Sequence, residues 1–206
     1  MTDPSHPTAS AFVYCRVEGS WRMGVRMLAL GPLTAARSAQ WGTPSLPVAQ
    51  AESPDAVALR AVTEQLGVVA RLVTSPVPVL PDRRPGRPKR PDRPCGGAPW
   101  WVVHLPAPAD AWLSGPHLHV DHQYVAVAGR PADPAPSHLG PFLWVAADQL
   151  LKLPVRSDVK MVGRSLFRGL DGVLAGEPDP ALLDTVVYGL SRTRTVLEES
   201  AEPPAW

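Results

Sequence analysis

Isoleucine and asparagine are absent from the 206 residues, and cysteine occurs only as Cys15 and Cys95. Two cysteines in unrelated contexts cannot build a disulfide framework or a C-x-x-C metal knuckle within one chain. A formal net charge of +1 supplies no global attraction to nucleic acid or membrane, so a charged partner has to be met by a local cluster. No apolar run approaches the ~20 residues of a membrane span. Residues 1–10 are polar, carry two prolines and contain no apolar core. They read as a flexible N-terminus rather than a signal peptide, and the expectation is a cytoplasmic protein with no membrane partner. The missing residue types, with arginine far in excess of lysine, match the codon bias of a GC-rich genome and carry no functional signal.

Hydrophobic residues at 45% and charged residues at 19% describe a globular chain, long enough for one domain of ordinary size plus an extension. The 26 prolines gather in connecting segments, where they stiffen loops. Residues 11–17 and 24–30 are short β-type runs around Gly19-Ser20 and predict a hairpin, with Cys15 as a small core residue. Ser53-Pro54-Asp55 predicts a helix start, in which Ser caps, Pro fits the first turn and Asp favours the positive end of the dipole. Gly67 is the stop. Residues 68–80 read as extended, and 100–105, 118–128 and 142–145 as strands. Residues 146–151, 157–174 and 180–197 read as helical, the last from Pro180 after Asp179, with Leu182, Val186 and Leu190 at helical spacing.

Within residues 52–68, seven residues separate Glu52 from Arg60, and Gly67-Val68 close the segment. This spacing resembles the Nudix box, G-x5-E-x7-R-E-U-x-E-E-x-G-U with U aliphatic. The approach from Trp41 and the later P-F-L-W-V-A-A-D-Q-L string fit the same family. The departures are specific: Leu46 stands at the glycine position, and Ala61, Glu64 and Gln65 stand where the box has three glutamates. Positions i, i+3 and i+4 share a helix face, where carboxylates can hold Mg²⁺ against a diphosphate and activate water. Here one charge remains of three. The resemblance implies Glu52, Arg60 and Glu64 as the catalytic set if the chain is active, with weak Mg²⁺ binding by Glu64 and Glu52 and a ligand contact from Gln65. It also implies that Glu52 and Arg60 brace the loop before the helix. An ordinary amphipathic helix with an Arg60–Glu64 surface pair is the plainer reading of the same residues.

His117, His119 and Asp121 alternate along one strand and point to one face. They could meet a metal with His104 or Cys95 completing the site, or they could line the ligand cleft or hydrogen-bond neighbouring strands. Same-face neighbours lie ~7 Å apart along a strand, which favours cleft lining by His119 and Asp121. A similar H-x-H-x-D-x-x-Y strand, preceded by a segment like His104-Leu105-Pro106-Ala107, occurs in a group of Nudix proteins.

Between residues 83 and 93 lie six cations, Arg83, Arg84, Arg87, Lys89, Arg90 and Arg93, and no apolar anchor. The segment reads as a linker without structure, as a phosphate clamp through Arg87 and Lys89, or as a minor-groove reader, since G-R-P-K resembles an AT-hook core. Trp100-Trp101 beside it read as buried rather than base-stacking.

The expected architecture is a Nudix-type α/β/α sandwich with a mixed sheet over residues 11–174, containing the basic loop 81–99, followed by a C-terminal helical extension over 175–206. The expected function is binding of a nucleotide or other diphosphate-containing small molecule, with metal-dependent hydrolysis impaired. The rivals are an active hydrolase of a nucleoside diphosphate linked to X, and a nucleic-acid-associated regulator acting through Arg83–Arg93.

Overall fold

A computed structural model describes residues 4–28, 40–76, 97–131, 140–179 and 182. Two long strands organise it. β1 (Ser5–Val17) and β7 (His117–Ala128) run parallel over eleven residue pairs, from Ser5 opposite Leu118 to Cys15 opposite Ala128. The other strand pairs among the described residues are antiparallel, and Trp41 makes one further parallel bridge, to Val155. β2 (Ser20–Leu28) folds back on β1 through Glu18-Gly19 and pairs further with β3 (Gln40–Gly42) and β8 (Phe142–Val145). β4 (Ser45–Pro47) extends the sheet beside Thr8–Ser10, while β5 (Ala70–Val73) and β6 (Trp101–Ala107) share the far edge of β7.

Alternation along the strands divides the core into two layers. Ala9, Ala11, Val13 and Cys15 of β1, with Tyr124, Ala126 and Ala128 of β7, face α1 (Pro54–Leu66) and meet Val57, Ala58, Val62 and Leu66. Phe12, Tyr14 and Val125 face the other way, toward Leu150 of α2 (Ala147–Lys152) and Val159, Val162, Leu166 and Leu170 of α3 (Ser157–Ala175). The result is an α/β/α sandwich around a mixed sheet. Close approach of α1 is permitted by Gly24, where a Cβ would lie 2.6 Å from Leu66 Cδ1.

The expected N-terminal boundary moves. Residues 5–10, read as part of a flexible N-terminus, are the first half of β1, and His6, Thr8 and Ser10 are buried there. Their polarity and Pro7 hid a strand that gains its partner from β7, more than a hundred residues later. Ser53 does occupy the N-cap of α1 in an extended conformation, but its side chain makes no capping hydrogen bond. Trp100 and Trp101 are both buried, Trp100 Nε1 donating to Val73 O at 2.8 Å. The basic segment and the helix expected over 180–197 lie outside the described residues, apart from Leu182, which is buried against α3.

Candidate functional site

The turn before α1 is tied at several points. Glu52 N donates to Ala49 O at 3.1 Å, Ala51 sits in the left-handed region at φ 77°, and Glu52 Oε2 accepts from Ala49 N at 3.1 Å. One guanidinium nitrogen of Arg60, Nη2, donates to both Glu52 carboxylate oxygens at 2.9 Å. Arg60 Nη1 lies 4.0 Å from Glu64 Oε1. These three side chains form one connected, half-exposed patch; Arg60 and Glu52 retain 44% and 38% side-chain exposure, which keeps their pairing well hydrated. At the far end of the helix Gly67 takes φ 67° and its N–H closes on Thr63 O.

The two substituted positions of the helix turn away from this patch. Ala61 is fully buried, and Gln65 is 2% exposed. Gln65 Oε1 accepts from Ser45 N at 3.0 Å and its Nε2 donates to Ser45 O at 2.8 Å. An amide does this well because its oxygen accepts and its N–H donates, matching the N–H and C=O that one strand residue presents. Gln65 is therefore a clamp holding β4 to α1, and the expectation that it faces a ligand gives way to that role. Of the box positions, Glu64 alone presents a carboxylate that is not closely hydrogen-bonded, because Glu52 is occupied by Arg60 and by Ala49 N. Mg²⁺ is commonly held by one or two protein carboxylates together with substrate phosphates and water, and among the box positions Glu64 is the one carboxylate left open to it.

The histidine strand lies on the opposite face of the sheet. The unbroken β1–β7 register places His6, Thr8 and Ser10 in line with Phe12 and Tyr14, and His117, His119, Asp121 and Gln123 in line with Val125. None of them shares the face packed by α1. Asp121 is buried and takes hydrogen bonds from Thr8 Oγ1 at 2.8 Å, Ser10 Oγ at 2.7 Å and Gln123 Nε2 at 3.0 Å. It is a structural acceptor joining the two parallel strands, the inter-strand role open to it beside cleft lining. His104 also drops out as a partner of the other histidines, since it pairs with Val120 and faces the α1 side.

His119 instead joins His6, His117 and Asp110. Asp110 Oδ2 lies 3.0 Å from His6 Nε2 and 3.3 Å from both His117 Nε2 and His119 Nε2. His6 Nε2 and His117 Nε2 are 3.2 Å apart. Burial pushes the Asp110 carboxyl up, but the amides of Leu113 and Trp112 with His6 and His119 outweigh it and hold the group well below the usual carboxylate range. Burial lowers His119, helped by neighbouring His6 and His117 and opposed by Asp110, so its neutral ring is favoured.

Sequence reasoning found His117 and His119 but missed His6 and Asp110. His6 was hidden in a segment read as lacking structure, and Asp110 in the connection between β6 and β7. The available signal was period-two polarity in His6-Pro7-Thr8-Ala9-Ser10, running into the apolar remainder of the strand. Arg87 and Lys89 lie outside the described residues.

No family model matches the chain, and no curated protein does. Solved structures do. A Nudix-family hydrolase from Clostridium perfringens superposes with a TM-score of 0.52 at 13% identity, covering 79% of this chain and 96% of its own. An Ap4A hydrolase binary complex from C. elegans gives 0.48 at 16% identity over 83% and 98%, respectively. The Nudix domain of Shewanella oneidensis NrtR, complexed with ADP-ribose, gives 0.49 at 14% over 81% and 90%. The likeness to the C. perfringens protein establishes a Nudix-type fold for this chain; at such identity it speaks to the fold and not to activity.

Proposed function

We propose that this chain is a Nudix-fold protein that binds a nucleotide or other diphosphate-containing ligand and has lost efficient Mg²⁺-dependent hydrolysis. The observation that carries the reading is the inward commitment of Ala61 and Gln65. Both sit in the core, and Gln65 uses both ends of its amide on Ser45. The helix keeps the tied loop, the Glu52–Arg60 brace and the left-handed glycine stop, so the scaffold survives where the metal ligands do not. Ligand phosphates would be met by cations, for which the segment containing Arg87 and Lys89 is the candidate, while Glu64 and Arg60 border the site.

The test is a panel of NDP-sugars, ADP-ribose, NTPs and dinucleotides, each incubated with Mg²⁺ or Mn²⁺ and each also scored for a shift in Tm. The proposal expects a saturable Tm rise with one ligand class, weakening with salt, and little product. Hydrolysis at ordinary enzymatic rates of about 1–10³ s⁻¹ would instead mean that Glu52 and Glu64 recruit carboxylates from elsewhere. Absence of any nucleotide response, with salt-sensitive binding to A·T-rich duplex, would transfer the function to Arg83–Arg93.

A further inference from the structure

We infer that His6, Asp110, His117 and His119 form a four-ligand site for a borderline divalent metal ion of the Zn²⁺ class, on the sheet face opposite the Nudix helix. The four ligand atoms, one from each residue, all lie within 4.8 Å of one another. Four of their six separations are 3.0, 3.2, 3.3 and 3.3 Å. A tetrahedral ion with ligand bonds of about 2.0–2.1 Å has ligand–ligand edges about 1.6 times longer, roughly 3.3 Å. The atoms therefore stand close to coordination distance before any ion is added. Three imidazoles and one carboxylate suit Zn²⁺ and its neighbours, and not Mg²⁺ or Ca²⁺, which take oxygen.

The surroundings orient these groups as outer partners of a metal site do. Asp110 Oδ1 accepts from Trp112 N at 2.7 Å and Leu113 N at 2.9 Å, which leaves Oδ2 aimed into the cluster. His117 Nδ1 lies 2.9 Å from Gly115 O. A carbonyl only accepts, so Nδ1–H donates to it, and this bond aims Nε2 into the cluster. His117 Nε2 faces Asp110 Oδ2 and His6 Nε2 at 3.3 and 3.2 Å. The convergence of these atoms on one point offers a divalent ion four donors at once.

The location supplies a reason for such an ion. Phe12, Tyr14 and Val125 at one end of this sheet face are covered by the helical layer. The polar end, at His6, Thr8 and Ser10, is instead approached by the β6–β7 connection, which brings Asp110 and a half-exposed Trp112 stacked on His6 at 5.7 Å. Metal ligation would fasten that connection and the start of β1 to β7 without a hydrophobic contact.

The experiment uses the full chain without a histidine tag, stripped with a chelator and titrated with Zn²⁺, Co²⁺, Mn²⁺ and Mg²⁺. Expected are one Zn²⁺ per chain, a raised Tm, and the intense visible bands of four-coordinate Co²⁺ displaced by Zn²⁺. Asp110→Asn and His119→Gln, both at partly exposed positions, should each weaken Zn²⁺ by more than the roughly 10–100-fold typical of outer partners. Glu52→Gln and Glu64→Gln, on the other face, should leave Zn²⁺ stoichiometry and affinity unchanged. Unaltered Zn²⁺ binding in folded Asp110→Asn or His119→Gln overturns the site. So does a six-coordinate Co²⁺ spectrum, preference for Mn²⁺ or Mg²⁺, or the absence of stoichiometric binding.

Discussion

Replacing Gln65 with glutamate restores a box residue by sequence and damages the fold by structure. The amide donates from Nε2 to Ser45 O at 2.8 Å inside a site where the residue is 2% exposed. In Gln65→Glu a carboxylate oxygen faces that carbonyl. Leaving a buried carbonyl without its donor costs about 1–3 kcal/mol, and desolvating the new charge adds to it. A total near 3 kcal/mol lowers Tm by roughly 6–12 °C for a chain of this size. The loss must depend on pH. Burial raises the folded pKa of the introduced carboxyl above its unfolded value of about 4.3, so the folded state holds the proton more tightly. The deficit is therefore absent below about pH 4.3, where the protonated carboxyl donates from its hydroxyl, and grows as pH rises through the folded pKa. Thermal melts of both proteins across this range measure it. Adding Ala61→Glu, at a fully buried position, deepens the loss rather than building a Mg²⁺ site. A double variant that melts like the wild type and gains Mg²⁺-dependent hydrolysis would refute the inward placement of both residues.

Further consequences follow from exposure and hydrogen bonding. Arg60→Ala removes a half-exposed ion pair and should cost no more than about 1 kcal/mol by chemical denaturation. Asp121→Ala strands three donors in the core, from Thr8, Ser10 and Gln123, and should cost several-fold more, about 3 kcal/mol in the same assay. Burial pushes the Cys15 thiol up from 9.0 to about 11, with Arg22 opposing. Because the folded state keeps this proton longer, stability should fall as pH climbs from about 9 to 11, and in a Cys95→Ser background native Cys15 should resist alkylation at pH 8 while the denatured chain reacts.

The helix of the box was legible because its signals are local: Pro54 and Asp55 at the start, Gly67 at the stop, and apolar residues at helical spacing between them. Phe142–Val145 was legible for a similar reason, as an apolar run bounded by proline and the start of α2. What stayed hidden depends on pairing between distant segments. Gln65 shows its role only once Ser45 is known to lie beside it, and a glutamine at a carboxylate position otherwise looks like a weak ligand. Asp121 looked like a cleft residue until Thr8 and Ser10 arrived from the N-terminal strand. The ~7 Å spacing along β7 counted against a shared ion, yet the rings of His117 and His119 approach to 4.9 Å between centroids. The remaining ligands come from outside that strand, His6 directly across from His119 and Asp110 from the preceding connection.

Binding without hydrolysis is tested most directly by ³¹P NMR of whichever diphosphate ligand raises Tm, mixed stoichiometrically with the protein in Mg²⁺ and in its absence. The diphosphate resonances should shift or broaden on binding and persist over many minutes, with Mg²⁺ changing little. Conversion of those resonances to monophosphate within seconds on adding Mg²⁺ would contradict a binding-only role, because Glu64 and Glu52 would then be holding a working metal centre despite Ala61 and Gln65.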